Sequence, residues 1–241
     1  MTTPNAPTLS AIVLGYRAGE SLVRVLEPLY AELEAEGVPF ELVVVANYWA
    51  GANDVTPTVA EKFAGSRANV RVIARPKEGA MGWDLRSGLA AAAGSWLVAI
   101  DGDAQNPVHD LIRAYRLLRD TGADVVKGRR TERHDGLYRR SISLLYNVFF
   151  VLLFGGRGLW DINGKPKGFS RGAYEQLDLG ADDWFIDAEV IIQARERGLR
   201  IVELPVVFLR NDERASLVKP AAIFEFVRNM IQFRLRAGKR P

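Results

Sequence analysis

Two aspartates separated by one residue follow a strand-like apolar run and could share one divalent metal ion. The run Trp96–Ile100 leads into Asp101, and Asp103 follows two positions later. Mg²⁺ and Mn²⁺ prefer oxygen ligands, and Mg²⁺ commonly takes one or two carboxylates together with substrate phosphates. Gln105 is a candidate for a further, neutral oxygen ligand. The alternative is a polar turn in which the Asn106–Pro107 pair starts the next helix, with the asparagine as its N-cap.

A glycine-rich segment runs from Lys77 to Leu89 into a predicted helix. Glycines at a helix start, such as Gly79 and Gly82, let the backbone approach a ligand closely. The segment contains neither of the phosphate-binding patterns G-x-x-x-x-G-K-S/T and G-x-G-x-x-G. Close packing of small residues is the alternative explanation.

A basic cluster follows the predicted fifth strand. Arginines suit phosphate because their planar fork donates to two oxygens at once. A solvated basic loop is the alternative. Since neither a recognition helix nor a continuous basic stripe accompanies the cluster, we expect no nucleic-acid partner. The cluster consists of Lys127, Arg129, Arg130, Arg133, Arg139 and Arg140.

An acidic segment, Asp182–Glu189, contains two aspartates at helical spacing. Asp183 and Asp187 lie four residues apart and would share one face of a helix. Clustered carboxylates beside aromatic residues suit a general base or a group that binds sugar hydroxyls. Alternatively, the acids complement the dipole at a helix N-terminus.

The last residues, Pro220–Pro241, combine helical apolar spacing with arginines and lysines, and no acid follows Glu225. A basic amphipathic helix of this kind can lie in an anionic membrane interface. A helix packed on the domain with a solvated basic end is the alternative. The sequence predicts a main domain over residues 1–217 and a basic amphipathic C-terminal helix over residues 218–241.

The composition excludes several classes of protein. The chain has 241 residues, 48% of them hydrophobic, a net charge of +3, two histidines and no cysteine. Disordered chains, disulfide scaffolds, thiol enzymes and Cys- or His-rich metal sites are therefore excluded. The longest apolar stretch, Ile142–Phe154, is shorter than the about 20 residues that span a bilayer. No signal peptide is evident, so we expect a cytoplasmic protein that could touch the membrane surface.

Short apolar runs alternate with helical patterns over the first two-thirds of the chain. This alternation predicts an α/β fold with a mostly parallel sheet flanked by helices. Ligands of such sheets bind beyond the carboxyl ends of the strands, where the loops after the first four strands would meet. The second part is less regular, and Pro205 is expected to end its last strand. The first four predicted strands are Leu9–Leu14, Glu41–Val45, Val70–Ala74 and Trp96–Ile100.

Four segments in order resemble family 2 glycosyltransferases with the Rossmann-like GT-A fold, most of all the dolichol-phosphate mannosyltransferase and polyprenyl-phosphate glycosyltransferase branch. Asp101–Pro107 is similar to the D-A-D-x-Q-x-P motif of that branch, and Gly79–Leu89 resembles its G-x-G-x-A-x-R-x-G-L segment. Asp161–Arg171 resembles its acceptor-side loop. Ala181–Pro205 resembles a late segment with D-x-E, then G-x-R/K-I, then E-x-P-V, the last motif being Glu203–Val206 here. The resemblance covers about Leu9 to Ser216.

The resemblance implies a role for each matching residue. Asp101 and Asp103, assisted by Gln105, would bind Mg²⁺ or Mn²⁺ on the diphosphate of a nucleotide-sugar donor. Arg130 would lie near phosphate, and Arg139 or Arg140 would face the phosphate of an acceptor. The remaining donor-side and phosphate-side residues would be Tyr16, Asn47, Gly79, Arg86 and Arg210. The chain departs from the family after its second strand, where the first of two aspartates is absent and Asn47 replaces the second.

The reaction implied is inverting, metal-dependent transfer of a sugar to an acceptor. A polyprenyl-phosphate acceptor would need no strong base, because a phosphate monoester with a second pKa near 6 is already anionic. For a hydroxyl acceptor, Asp187 is the first candidate base and Asp183 the second. The alternatives are a nucleotidyltransferase that makes the sugar nucleotide and a binding protein that keeps the fold without catalysis.

Overall fold

A seven-stranded mixed sheet forms the centre of the protein in a computed structural model, which describes residues 6–65, 67–133, 137–155, 158–209 and 228–235. The strand order is β3-β2-β1-β4-β6-β5-β7. Of these seven described strands, only β6 is antiparallel to its neighbours. The prediction of a mostly parallel α/β sheet is therefore confirmed. The strands are β1 (Leu9–Leu14), β2 (Phe40–Val45), β3 (Val70–Ile73), β4 (Trp96–Asp101), β5 (Val125–Arg133), β6 (Lys167–Ser170) and β7 (Ile201–Phe208).

Helices cover both faces of the sheet. All six residues of β1 are buried, as expected of a strand packed on both sides. Successive side chains alternate between two cores: Ile12 packs with α3, α5 and α7, whereas Val13 packs with α1, α2 and α4. The helices are α1 (Val23–Glu36), α2 (Thr56–Ala64), α3 (Met81–Ala91), α4 (His109–Thr121), α5 (Leu137–Phe154), α6 (Arg171–Gln176) and α7 (Ile186–Glu196), with a 3-10 helix at Gly19–Leu22.

The C-terminal helical segment, residues 228–235, packs on the main domain. Met230 is fully buried in the core beside α5 and α7. The ring of Phe233 lies 6.3 Å from that of Phe154 and 5.3 Å from that of Phe185. Arg228 and Arg234 are exposed. The predicted division at residue 217 falls outside the described residues and stays a prediction.

Two local predictions were wrong. β7 continues through Pro205 to Phe208, because among the described strands it is an edge strand paired with β5 alone, and the missing N–H need not face a neighbour. Asn106 does not cap α4: Val108 holds the N-cap position without a side-chain hydrogen bond, and the Asn106 amide instead donates to the carbonyl of Lys165 at 3.2 Å.

Candidate active site

The carboxyl ends of β1, β2 and β4 meet at one crevice. Leu14 pairs with Asp101 in the register of β1 and β4, and the N–H of Gly102 donates to the Leu14 carbonyl at 2.9 Å. The N–H of Gly15 donates to the carbonyl of Val45 at 2.8 Å. The loops after these strands therefore converge where a parallel α/β sheet binds its ligands.

Asp101 stands in the crevice as a carboxylate that accepts no hydrogen bond from the residues that the structure describes. It is partly buried. Burial raises its pKa to about 6, and the neighbouring charges of Asp103 and Asp187 act in the same direction, whereas Lys165 opposes the rise. One oxygen of Asp103 accepts the N–H of Gln105 at 3.0 Å. A crowded acidic group of this kind favours a bound cation.

The donor set fits a hard divalent cation that is shared with phosphate. Among the described residues no three His, Cys, Asp or Glu side chains form a group that would hold a metal by themselves. The carboxylates of Asp101 and Asp103 suit Mg²⁺ or Mn²⁺, because substrate phosphates can complete the coordination shell of such an ion. The Gln105 amide nitrogen donates to the carbonyl of Leu209 at 3.1 Å, so this residue stays a predicted ligand through its oxygen.

A buried polar cluster forms around Asn47, just after the end of β2. The Asn47 amide donates to Asp84 at 2.9 Å, and its oxygen accepts the N–H of Arg75 at 3.0 Å. Asp84 also forms an ion pair with Lys77, whose ammonium lies 4.4 Å from the centre of the Tyr16 ring. Burial lowers the pKa of Lys77 and raises the pKa of Asp84. Asn47 is thus held by the protein itself, and the cluster links it to Tyr16.

The N-terminus of α3 contacts the chain itself. The Asp182 carbonyl accepts the N–H groups of Ala80 at 2.7 Å and Trp83 at 3.2 Å. A Cβ on Gly79 would lie 2.7 Å from the Asp182 Cβ. A Cβ on Gly82 would lie 2.4 Å from the carbonyl oxygen of Ala181. The absence of a side chain at these two glycines lets residues 181–183 pack directly against the start of α3, which is the close-packing alternative. Contact of Gly79 with a ligand stays a prediction.

Arg86, predicted on the donor side, is bonded within the protein. It forms an ion pair with Asp182 and donates to the carbonyl of Gly180 at 3.3 Å. These bonds tie the middle of α3 to the loop before α7.

The two candidate bases already have partners. Asp187 is buried, and one of its oxygens lies 2.6 Å from the Lys165 ammonium and 3.0 Å from that of Lys167. Burial alone would raise the pKa of Asp187, but the two lysine charges lower it below its ordinary value. Asp183 accepts the N–H of Phe185 at 2.8 Å and the amide of Asn229. A role as base stays a prediction for both aspartates.

Arg130 in β5 is oriented by Asp161, which lies in the loop between α5 and β6. Its backbone N–H and its Nε donate to one oxygen of Asp161 at 2.9 and 2.7 Å, and a terminal nitrogen bonds the other oxygen. Burial alone would raise the pKa of Asp161, but Arg130 lowers it. Arg210 and the side chains of Arg139 and Arg140 lie outside what the structure describes.

Sequence reasoning named Lys127 and Asp187 but missed the ion pairs of the buried lysines. Lys165 and Lys167 flank Asp187, and Lys127 lies 2.7 Å from Glu203. Lys127 directly follows the apolar pair Val125–Val126, and this is the one indication that the sequence offered, because a buried charge needs a partner.

Helix α5 exposes an apolar face. None of the described helices is long and apolar enough to cross a membrane. Positions i, i+1, i+4 and i+8 of α5 nevertheless share a face, and Trp160 shortly after the helix is 54% exposed as well. The apolar α5 face, about half exposed or more at each position, consists of Leu144, Leu145, Val148 and Leu152.

Comparison with known proteins identifies the class and then the family. Glucosyl-3-phosphoglycerate synthase from Mycobacterium tuberculosis, solved with Mn²⁺, uridine diphosphate and phosphoglyceric acid, matches with a TM-score of 0.65 and 20% identity, over 98% of this chain and 80% of that one. The fold is therefore the GT-A fold. The sequence profile described as Glycosyl transferase family 2 matches residues 10–178. The chain belongs to that family.

Relatives agree with the branch that the motifs indicated. Glycosyltransferase AglD of Haloferax volcanii is 30% identical over 211 residues, which are 84% of this chain but 33% of AglD. Dolichyl-phosphate beta-glucosyltransferase ALG5A of Trichomonas vaginalis is 22% identical over 243 residues, covering 95% of this chain and 73% of the relative. The chain thus spans about a third of the length of AglD.

Proposed function

We propose that the protein is an inverting, metal-dependent glycosyltransferase that moves a sugar from a nucleotide-diphosphate donor to a polyprenyl phosphate at a membrane surface. The donor class is supported by the crevice at the strand ends and by the M. tuberculosis neighbour that binds Mn²⁺ and uridine diphosphate. The acceptor class is supported by features of this chain and by the likeness to ALG5A.

Asp101 and Asp103 would hold Mg²⁺ or Mn²⁺ against the donor diphosphate, with Gln105 as the further oxygen ligand. The metal would neutralise the charge that develops on the leaving diphosphate. Arg130, held in a fixed orientation by Asp161, would add a cation toward phosphate. Tyr16, Asn47 and the segment around Gly79 and Arg86 would border the nucleotide.

A phosphate acceptor is favoured because the two candidate bases already have partners within the protein. Asp187 is paired with two lysines, and Asp183 is bonded to two donors. A hydroxyl acceptor needs a base within hydrogen-bond reach. A phosphate needs none, since it attacks the anomeric carbon as an anion.

The observation that carries the lipid assignment is the apolar α5 face, with Leu152 76% exposed. Exposed apolar patches on monomers indicate interaction sites, and this helix directly follows β5, the strand of Arg130. The sequence puts Arg139 and Arg140 at the start of the same helix. Apolar side chains beside basic ones suit the surface of an anionic bilayer.

Sugar transfer by the purified protein tests the proposal. We expect transfer from UDP-glucose or GDP-mannose to a polyprenyl phosphate in liposomes, with no transfer when a chelator removes Mn²⁺ or Mg²⁺. Transfer to hydroxyl acceptors alone would make the protein a different kind of glycosyltransferase. Failure to bind any nucleotide would favour the non-catalytic alternative.

A charge introduced on α5 tests the membrane contact separately. The double variant Leu144→Glu, Leu152→Glu should bind anionic liposomes at least about tenfold more weakly, because each glutamate removes apolar contact and repels the lipid. Thr58→Glu, an exposed position of α2, is the matched control and should bind as the unmodified protein does. Equal liposome binding by all three proteins would refute the contact.

A further inference from the structure

Three of the described buried lysines lie in or beside β5 and β6, and two of them meet two or more acceptors each. Lys127 meets Glu203 at 2.7 Å and the Asp161 carbonyl at 3.2 Å, besides the Trp160 carbonyl. Lys167 meets Asp187 at 3.0 Å and donates to the carbonyl of Ile162 at 2.9 Å. The third is different.

Lys165 is 3% exposed, yet its ammonium meets a single acceptor in the described part of the chain, Asp187 at 2.6 Å. An ammonium carries three N–H donors. The two others meet no acceptor among the residues that the structure describes. Since buried donors are nearly always satisfied and an unsatisfied one is costly, this side chain is set up for a further anionic or polar partner.

Lys165 is fixed to the loop that carries the candidate metal ligands. Its carbonyl accepts the amide of Asn106 at 3.2 Å. The other polar atom of that amide, Oδ1, is buried and has no hydrogen-bond partner among the described residues. A Cβ on Gly128 would lie 2.0 Å from the Lys165 carbonyl oxygen, so β5 passes directly against this backbone. Lys165, the loop at the end of β4 and the strand of Arg130 therefore lie against one another at the crevice.

We propose that Lys165 binds a phosphate oxygen of the substrate. Resting on the proposed function, this inference adds a residue to that site. Lysine binds phosphate as a compact point charge with several donors, and Lys165 has two donors to offer. The phosphate belongs either to the donor diphosphate or to the acceptor.

Binding of simple phosphates to Lys165→Met separates the two sources. Pyrophosphate with Mn²⁺ represents the donor, and farnesyl phosphate represents the acceptor. Loss of a charged hydrogen bond should weaken one of them at least about tenfold, measured by calorimetry. Lys165→Arg should restore part of the affinity, and Lys62→Met, at an exposed lysine of α2, should leave both affinities unchanged.

The outcomes are distinct. Weaker pyrophosphate binding assigns Lys165 to the donor, and weaker farnesyl phosphate binding with a raised KM and little change in kcat assigns it to the acceptor. Unchanged affinity for both in a folded Lys165→Met protein overturns the inference, as does an unmodified protein that binds neither. If the unmodified protein binds them but transfers no sugar, the proposed function fails and the role of Lys165 stands.

Discussion

Two acidic segments border the crevice, and they differ in their partners. Asp101 carries a carboxylate that accepts no hydrogen bond from any described residue, whereas Asp187 is bonded to two lysine ammonium groups. The pKa of Asp101 is raised by burial to about 6, while the pKa of Asp187 is lowered by its lysines despite burial. The first carboxylate is suited to an external cation, and the second already serves as a counter-ion within the fold.

The difference distinguishes a carboxylate that is open to an external ligand from one that already has an internal partner. Both segments have aspartates at a spacing that suits chemistry. Only the contacts of the two segments distinguish them, because a carboxylate in a buried ion pair is already neutralised by its partner and is not available for catalysis.

The largest expected effect is on turnover. Asp103→Ala should reduce metal-dependent transfer at least about a hundredfold, because the diphosphate loses its electrostatic stabilisation. Steady-state rates with varied Mn²⁺ measure it. Asp178→Asn, at an exposed residue, serves as the control. Undiminished turnover in Asp103→Ala would remove this residue from the metal site.

The next effect is on stability. Asp187→Asn should lower the free energy of unfolding by about 3–5 kcal/mol, since it leaves Lys165 and Lys167 buried without their counter-ion. Urea unfolding measures the loss, with Asp178→Asn again as the control. A loss below about 1 kcal/mol would mean that Asp187 is not a structural counter-ion, and its role as base would regain support.

The pH dependence should have opposite signs in the two segments. The pKa of Asp101 is raised in the folded state. As the pH rises from 4 to 6, the metal-free protein should therefore lose about 1–2 kcal/mol of stability relative to Asp101→Asn. For Asp187, whose pKa is lowered, stability is present above about pH 4 and is lost as the pH falls further. Urea unfolding in a chelator from pH 3 to 8 measures both. If the stability difference between the unmodified protein and Asp101→Asn does not change with pH, the prediction for Asp101 is contradicted.

The smallest effect concerns the contact between the C-terminal segment and Asp183. Asn229→Ala removes one donor to that carboxylate and should cost about 0.5–1.5 kcal/mol. Thermal unfolding detects this, and Arg228→Ala at the exposed neighbouring position is the matched control. Equal stability of the two variants would show that residue 229 does not fix Asp183.

The parallel half of the fold was predictable because its signals are local. β1 was predicted with its observed bounds, and β4 was one residue longer than expected. The short helix α6 was missed, since six residues show little periodicity. The extension of β7 past Pro205 depends on its place at the sheet edge, which a local pattern does not contain.

Part of the candidate site was also predictable. Asp101 and Asp103 stand where a strand ends, so spacing and periodicity suffice to find them. The pairs Lys165–Asp187 and Lys77–Asp84 are not visible in that way. The first joins residues 22 positions apart from different elements, and the second includes an aspartate in what looks like an ordinary amphipathic helix.

The most direct test of the account is nucleotide binding to Asp101→Asn. We expect UDP or GDP to stabilise the unmodified protein only with Mn²⁺ or Mg²⁺, by about 2.7 kcal/mol at a hundredfold excess over Kd. Thermal shift measures this, and Asp183→Asn should retain the shift. We expect no metal-dependent shift in Asp101→Asn. An undiminished shift in that variant, or a shift that persists in chelator, would contradict the assignment of Asp101 to the metal.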